Sequence, residues 1–240
     1  MFIIFGQGRT GSSLLQQLLN CSPEVYCDNE VLTERVPWPY LTIRSLAARY
    51  PGRVYGCKVR CHSIVRQGIP PGDFLWNFHH NGGRIIYLRR ENIVLQSISR
   101  MIIAQIDRMR WDRLPYSVRR NKRFYIDCNA LLQQLAWRER QLVQEQQALA
   151  GLPHVSLVYE QHLLPPEMRQ GTLDTLFEYL DVRRVPVHVT LARTSPERLV
   201  DVLENFDEVA AVIAGSRYAP FLEQEMETSR GSSTGQAPAR

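Results

Sequence analysis

Apolar and polar residues follow one another along the chain in blocks that predict alternating strands and helices. The run Phe2-Ile3-Ile4-Phe5 is continuously apolar and rich in β-forming residues, as is typical of a buried parallel strand. Leucines at helical spacing follow in the segment 12–19. The start of the chain is therefore predicted to fold as a strand, a glycine-rich loop and a helix.

The same kind of pattern continues downstream. Further strands are predicted over 54–59, 84–90 and 154–160, and further helices over 91–109, 129–150, 171–181 and 196–214. Strands that alternate with helices favour an α/β fold, in which a central parallel sheet is covered on both faces in three layers. We expect a single domain over 1–224, followed by a disordered tail over 225–240.

The composition is that of a soluble globular protein, with 44% hydrophobic residues, 22% charged residues and a net charge of +5. Excess positive charge suits an anionic partner, which can be nucleic acid, a membrane or a small molecule. The five cysteines form no CxxC pair, so reduced thiols in a cytoplasmic protein are expected rather than a zinc site. No signal peptide is predicted, and no stretch reaches the roughly 20 apolar residues of a membrane helix.

Phosphate binding is indicated by the glycine-rich loop over 6–13, whose sequence GQGRTGSS nearly fits the pattern G-x-x-x-x-G-K-[ST]. Such glycines let successive backbone N–H groups turn toward an anion, at the positive end of the following helix. Ser12 stands where an ATP-using enzyme carries the lysine that reaches the β- and γ-phosphates. The nucleotide is therefore expected to lack a triphosphate, with Arg9 beside the bridging oxygen; an ordinary glycine-rich turn is the alternative.

The run GRTGSSLLQQLL resembles the 5′-phosphosulfate loop of sulfotransferases that act on protein tyrosine and on bacterial sugars. Those families have a basic residue, Ser or Thr, Gly and two hydroxyl residues before a leucine. The matching residues here are Arg9, Thr10, Gly11, Ser12 and Ser13, and Gly8 takes a place that is often proline. The resemblance implies a P-loop-kinase-like sulfotransferase fold, and a donor, 3′-phosphoadenosine 5′-phosphosulfate, that these residues bind.

A second motif of the family binds the donor's 3′-phosphate through an arginine at a strand end and a serine on the next helix. In IIYLRRENIVLQSIS, Arg89 and Ser97 match the family spacing of eight residues, and Arg90 with Ser99 is the rival pair. An arginine fork suits a phosphate dianion, and a serine adds a neutral donor. The run SLVYEQHL also resembles a late strand of these enzymes, in which Tyr159 faces the nucleotide; packing explains Tyr159 equally well.

Two residues compete to be the base that takes the proton of the acceptor hydroxyl. Glu30 lies 21 residues after Arg9, the interval at which tyrosyl-protein sulfotransferases place their catalytic glutamate. His62 lies near the histidine of the K-T-H-x-P motif of cytosolic aryl and steroid sulfotransferases, but this chain has Arg60 at the matching place. We favour Glu30. Lys58 ends a predicted strand where the family keeps a lysine beside the transferred group, and is expected to stabilise the transition state.

The predicted function is metal-free sulfuryl transfer to a hydroxyl of a carbohydrate or natural-product acceptor, which leaves 3′-phosphoadenosine 5′-phosphate as product. An ATP-dependent small-molecule kinase of the P-loop fold is the alternative. A third hypothesis, nucleic-acid binding through the arginine-rich and aromatic segment 108–123, is disfavoured because no defined nucleic-acid motif accompanies it. That segment is instead expected to form a lid or an acceptor-binding loop. The sequence indicates no oligomeric state.

Overall fold

The computed structural model describes residues 1–109, 122–188 and 198–222. The strands are β1 (Phe2–Phe5), β2 (Val25–Glu30), β3 (Val54–Val59), β4 (Arg84–Arg89) and β5 (Val155–Val158). The helices are α1 (Ser12–Leu19), α2 (Pro39–Ala47), α3 (Cys61–Arg66), α4 (Pro71–His80), α5 (Ile93–Arg108), α6 (Cys128–Leu149), α7 (Pro166–Tyr179), α8 (Leu199–Val202) and α9 (Phe206–Ala214). A π-helical turn covers Tyr159–Leu163.

The chain divides into two compact units. The first consists of Met1–Glu91 and Glu139–Leu191, and the second of Asn92–Arg138 and Ala192–Arg240. The predicted single domain over 1–224 stays a prediction. The predicted tail over 225–240 lies outside the described residues, as do 110–121 of the predicted lid.

The first unit is built on a five-stranded sheet in the order β2-β3-β1-β4-β5, and each neighbouring pair is parallel. Side chains of β1 alternate between two cores: Ile3 and Phe5 belong to one, and Phe2 and Ile4 to the other. Helices α2, α3 and α4 contribute to the first core, and α1 and α7 to the second. The sheet is therefore covered on both faces, which confirms the predicted parallel α/β architecture.

Close packing between strands requires glycine at two positions, one within β3 and one directly after β1. Gly56 is the register partner of Phe2, and a Cβ at Gly56 would meet the Phe2 ring at 2.1 Å. Gly6, directly after β1, has φ +149° and lies so close to β4 that a Cβ would meet the Leu88 carbonyl oxygen at 2.2 Å. Only glycine fits this conformation and this distance. The start of the glycine-rich loop is thereby held against β4.

Most predicted elements agree with the observed ones within a few residues, but one strand, β2, and three helices, α2, α3 and α4, were not predicted. The sequence of β2, VYCDNE, is apolar on one side only, as suits the edge strand that it is, and it was not predicted. The strand predicted over 154–160 ends at Val158 because the chain turns into the π-helical turn there. The helix predicted over 171–181 begins earlier, at Pro166, a residue that the first helical turn tolerates.

The second unit has an apolar core of its own. Helix α5 contributes Val94, Ile98 and Ile102, and α6 contributes Leu131 and Leu135. Side chains of α8 and α9 complete this core. The helix predicted over 196–214 is two short helices in its described part, because residues 203–205 leave the helical conformation.

We predict that Gly6→Ala lowers the free energy of unfolding by more than about 3 kcal/mol, because the new Cβ collides with backbone and the φ angle is strained. Urea denaturation of the full chain measures this. Gly171→Ala is the matched control, since Gly171 lies in α7 and a Cβ added there would enter open space, with no neighbouring segment within 4 Å. That variant should be neutral or more stable by up to about 1 kcal/mol. Equal effects of the two substitutions would contradict the packing described for Gly6.

Candidate functional site

The glycine-rich loop joins β1 to α1 at the carboxyl edge of the sheet. Arg9 has φ +69° and Gly11 has φ +85°, so two loop residues adopt the left-handed conformation. For an arginine this conformation costs roughly 1 kcal/mol, and such strain is concentrated at functional sites. The Thr10 hydroxyl donates a hydrogen bond to the Gln7 carbonyl at 3.0 Å, which closes the turn.

The N-terminus of α1 offers backbone donors at the end of this loop. Gly11 is the N-cap residue, and in the described part of the chain no side chain caps this end of the helix. No acidic residue lies in the first turn of α1. The positive end of the helix dipole is therefore not offset by a carboxylate of its own first turn, which favours an anion at this position.

Lys58 supplies a cation to this loop from β3. Its side chain is only 6% exposed, and Nζ donates to Ser13 Oγ at 3.1 Å and to Asn29 Oδ1 at 3.0 Å. Burial lowers the pKa of Lys58, because removal from water disfavours the charged form. The ammonium thus lies at the start of α1, beside the loop in which Ser12 replaces the P-loop lysine.

A β-bulge in β2 contributes to this arrangement. Cys27 pairs with Gly56 and Glu30 pairs with Lys58, so three steps along β2 match two steps along β3. A bulge re-aims the side chains that follow it and is common beside active sites. Asn29, within this bulge, reaches Lys58, and Glu30 ends the strand at the carboxyl edge.

Glu30 forms an ion pair with Arg60, the residue that follows β3. Both side chains are partly exposed, at 26% and 31%. A Cβ at Gly8 would lie 3.2 Å from the central carbon of the Arg60 guanidinium, so this group also packs on the glycine-rich loop. A cleft at this edge is lined by Gln7, Thr10, Ser12, Glu30, Lys58 and Arg60, among others. The predicted base and the predicted transition-state cation therefore share one cleft with the loop.

The exit of β4 lies beside the exit of β1, because the two strands are paired and parallel. Arg89 is 36% exposed at its side chain and lies 3.4 Å from the Glu91 carboxylate. The Arg90 side chain is only 8% exposed and pairs with Glu160 at 3.3 Å. Tyr159 packs against the glycine-rich loop, since a Cβ at Gly11 would meet its ring at 2.3 Å. Of the two arginines, Arg89 is the one more open to solvent.

The two serines predicted to accompany these arginines belong to α5 in the second unit. Ser97 is fully buried, and its Oγ accepts a hydrogen bond from Arg138 Nε at 3.0 Å. Ser99 is buried as well, at 8% exposure. Asn92 caps α5 by accepting from the Leu95 N–H. The role of Ser97 or Ser99 in phosphate binding stays a prediction.

His62 lies in α3, two residues after Arg60, and its side chain is partly buried. It is not among the residues that line the cleft described above. Glu30 does line that cleft. Glu30 thus shares the cleft with the loop and Lys58, and the choice between Glu30 and His62 as the base stays a prediction.

Asn29 and Arg60 are the site residues that the sequence does not identify. In the sequence Arg60 marks only a departure from a histidine motif, and Asn29 belongs to the strand that was missed.

One compositional clue is available for Lys58: the chain contains only two lysines, Lys58 and Lys122, among 29 basic residues. Lys58 thus places a compact ammonium at a buried strand end, in a chain whose basic residues are almost all arginine.

A metal site, a reactive thiol and a membrane-spanning helix each have requirements that the residues of the described ranges would have to meet. Residues 1–109, 122–188 and 198–222 hold no group of three or more His, Cys, Asp or Glu side chains placed to bind a metal ion. The five cysteines are free thiols, and burial raises the pKa of Cys27 to about 12 and that of Cys61 to about 11. Within the same ranges, no helix has the length and apolar character needed to span a bilayer.

No protein-family model matches the chain, and no curated protein matches it. Nine chains of solved structures do match. One of them, the crystal structure of a sulfotransferase from Alicyclobacillus acidocaldarius, is 14% identical, covers 93% of each chain and has a TM-score of 0.48. A likeness at this level carries no argument about activity.

We predict that Lys58 loses its proton at a lower pH than an ordinary lysine, because burial lowers its pKa. Carbon-13 labelling of lysine gives one side-chain signal for each of the two lysines, and Lys58→Met identifies the signal of Lys58. The Lys58 signal should titrate below the ordinary value near 10.4. Titration at or above that value would contradict the burial of the ammonium. Any activity that needs charged Lys58 should fall as pH rises through its lowered pKa.

Proposed function

We propose that this protein is a sulfotransferase that moves the sulfuryl group of 3′-phosphoadenosine 5′-phosphosulfate to a hydroxyl of a carbohydrate or small-molecule acceptor. The observation that carries the proposal is the Lys58 ammonium at 3.1 Å from Ser13 Oγ. In a P-loop enzyme the corresponding hydroxyl binds Mg²⁺, and the loop lysine reaches the terminal phosphates. Here a cation from β3 engages that hydroxyl, and the loop has Ser12 in place of the lysine.

This arrangement favours sulfuryl transfer over the rival function, an ATP-dependent kinase. A lysine ammonium bonded to Ser13 repels a divalent cation at the same hydroxyl. A phosphosulfate carries no polyphosphate chain for Mg²⁺ to bridge, and it needs a cation where charge develops on the leaving oxygen. Lys58 lies in this cleft and Arg60 adds a guanidinium to it, which supports such a role for cations here. Arg9, within the loop, is the predicted further source of charge.

The donor's 5′-phosphosulfate would be held by the backbone and side chains of the loop from Gly8 to Ser13. The open N-terminus of α1 and the left-handed residues Arg9 and Gly11 support this assignment. Arg89, at the neighbouring strand exit, would bind the 3′-phosphate, with Ser97 as its predicted companion and Tyr159 as the predicted nucleotide contact. The parallel pairing of β1 with β4 supports a nucleotide that reaches from one exit to the other.

In the proposed reaction the acceptor oxygen attacks sulfur in line with the bridging oxygen of the donor. A new S–O bond forms, the old S–O bond breaks, and its electron pair stays on the departing phosphate, which gives 3′-phosphoadenosine 5′-phosphate. The hydroxyl proton passes to the Glu30 carboxylate. Glu30 lines the cleft together with the loop and Lys58, which supports Glu30 over His62 as the base.

We expect that the purified chain, loaded with the donor and a panel of sugars, phenols and natural-product alcohols, produces an acceptor heavier by one SO₃ unit. Mass spectrometry of the acceptor detects the product. Glu30→Gln should lower kcat by at least about 100-fold, because the amide cannot take the proton. A larger loss in His62→Ala than in Glu30→Gln would reassign the base. Transfer of phosphate from MgATP, without any sulfuryl transfer, would replace the proposal with the kinase alternative.

A further inference from the structure

Arg90 contacts the glycine-rich loop and two residues of the π-helical turn. Its Nη1 lies 3.5 Å from the carbonyl oxygen of Arg9, and its Nε lies 3.3 Å from Glu160 Oε1. Its guanidinium carbon lies over the Tyr159 ring, 5.1 Å from the ring centre. The side chain is only 8% exposed. The buried Arg90 guanidinium thus interacts with a carboxylate, a carbonyl and an aromatic ring of the protein itself.

The two residues that hold Arg90 are the first residues of the π-helical turn. The Tyr159 ring fills the space at Gly11 that a side chain would otherwise take. The Glu160 carboxylate accepts from Arg90 with one oxygen and from the Glu91 N–H, at 2.9 Å, with the other. The end of β5 is therefore connected to the end of β4 and to the glycine-rich loop by the same group of side chains. Short π-helical turns of this kind often occur at functional sites.

The contact with the Arg9 carbonyl has a geometric consequence. In a trans peptide the C=O and N–H groups point in opposite directions. A hydrogen bond from Arg90 to the Arg9 carbonyl therefore directs the Thr10 N–H away from Arg90, and Thr10 lines the cleft. The same bond acts on a residue in the strained left-handed conformation, which needs support from its surroundings to persist.

We propose that Arg90, Tyr159 and Glu160 form a brace that holds the glycine-rich loop in its anion-binding conformation before any ligand is bound. Arg90 is then a positioning residue and not a ligand of the 3′-phosphate, which leaves Arg89 for that role. The identity of the anion rests on the proposed function, whereas the brace itself does not. Preorganisation of this kind raises affinity because binding no longer has to order the loop.

Amide hydrogen exchange of the full-length protein without ligand tests the brace directly. In Arg90→Gln, peptides covering residues 6–13 should exchange about tenfold faster, while peptides from α7 stay unchanged. Arg89→Gln is the matched control, because it removes the same charge one residue away and leaves the brace intact. Arg90→Lys should keep the Glu160 ion pair but not restore slow exchange, since an ammonium lacks the planar fork.

Calorimetry with 3′-phosphoadenosine 5′-phosphate separates the brace from the proposed function. Arg90→Gln should bind this nucleotide at least about tenfold more weakly through its loosened loop. Arg89→Gln should also bind weakly, but without faster loop exchange. Unchanged exchange at 6–13 in Arg90→Gln overturns the brace.

If Arg90→Gln does not fold, Tyr159→Ala takes its place, and Tyr159→Phe, which keeps the ring, should retain slow exchange. Failure of the unsubstituted protein to bind the nucleotide overturns the proposed function, and the exchange result still decides the brace.

Discussion

The parallel pairing of β1 with β3 on one side and β4 on the other is the constraint on which the candidate site depends. It brings three strand exits to the same edge: the glycine-rich loop from β1, Lys58 and Arg60 from β3, and Arg89 and Arg90 from β4. Each exit contributes cationic side chains, and the loop adds the N-terminus of α1. Glu30, from the edge strand β2, is the carboxylate that lines the cleft beside them. Positive charge is thus concentrated at the edge of the sheet where the proposed nucleotide, with its two anionic ends, would bind, and Glu30 is the proposed base beside it.

The parts of the fold that the sequence predicted correctly are those in which burial dictates the residue types. β1 and the interior of β4 are buried on both faces, so they appear as continuous apolar runs bounded by glycine or charge. The strand β3 is buried as well, and its run VYGCKV is interrupted by Gly56 and Lys58. The glycine-rich loop was identifiable because its backbone conformation requires glycine at certain positions. Gly6 and Gly11 have positive φ angles and close neighbours that leave no space for a side chain. Strand burial and glycine conformation each depend on residues within one element or one loop. Both can therefore be predicted from a single sequence.

The parts that the sequence did not predict depend on contacts between distant segments. β2 is an edge strand with a bulge, and its polar end carries no periodic pattern. The bond from Lys58 to Ser13 spans 45 positions and that from Arg90 to Arg9 spans 81, so neither is visible as a spacing. Two adjacent arginines at the end of β4 look equivalent in the sequence. Only the structure shows that Arg90 is buried and engaged while Arg89 is partly exposed.

The central claim is that the exits of β1 and β4 each bind one anionic end of the same nucleotide. Calorimetric titration with 3′-phosphoadenosine 5′-phosphate and with adenosine 5′-phosphate compares two ligands that differ only in the 3′-phosphate. A charge-assisted contact with Arg89 predicts that the bisphosphate binds at least about tenfold more tightly. Equal affinity for the two nucleotides would contradict the account.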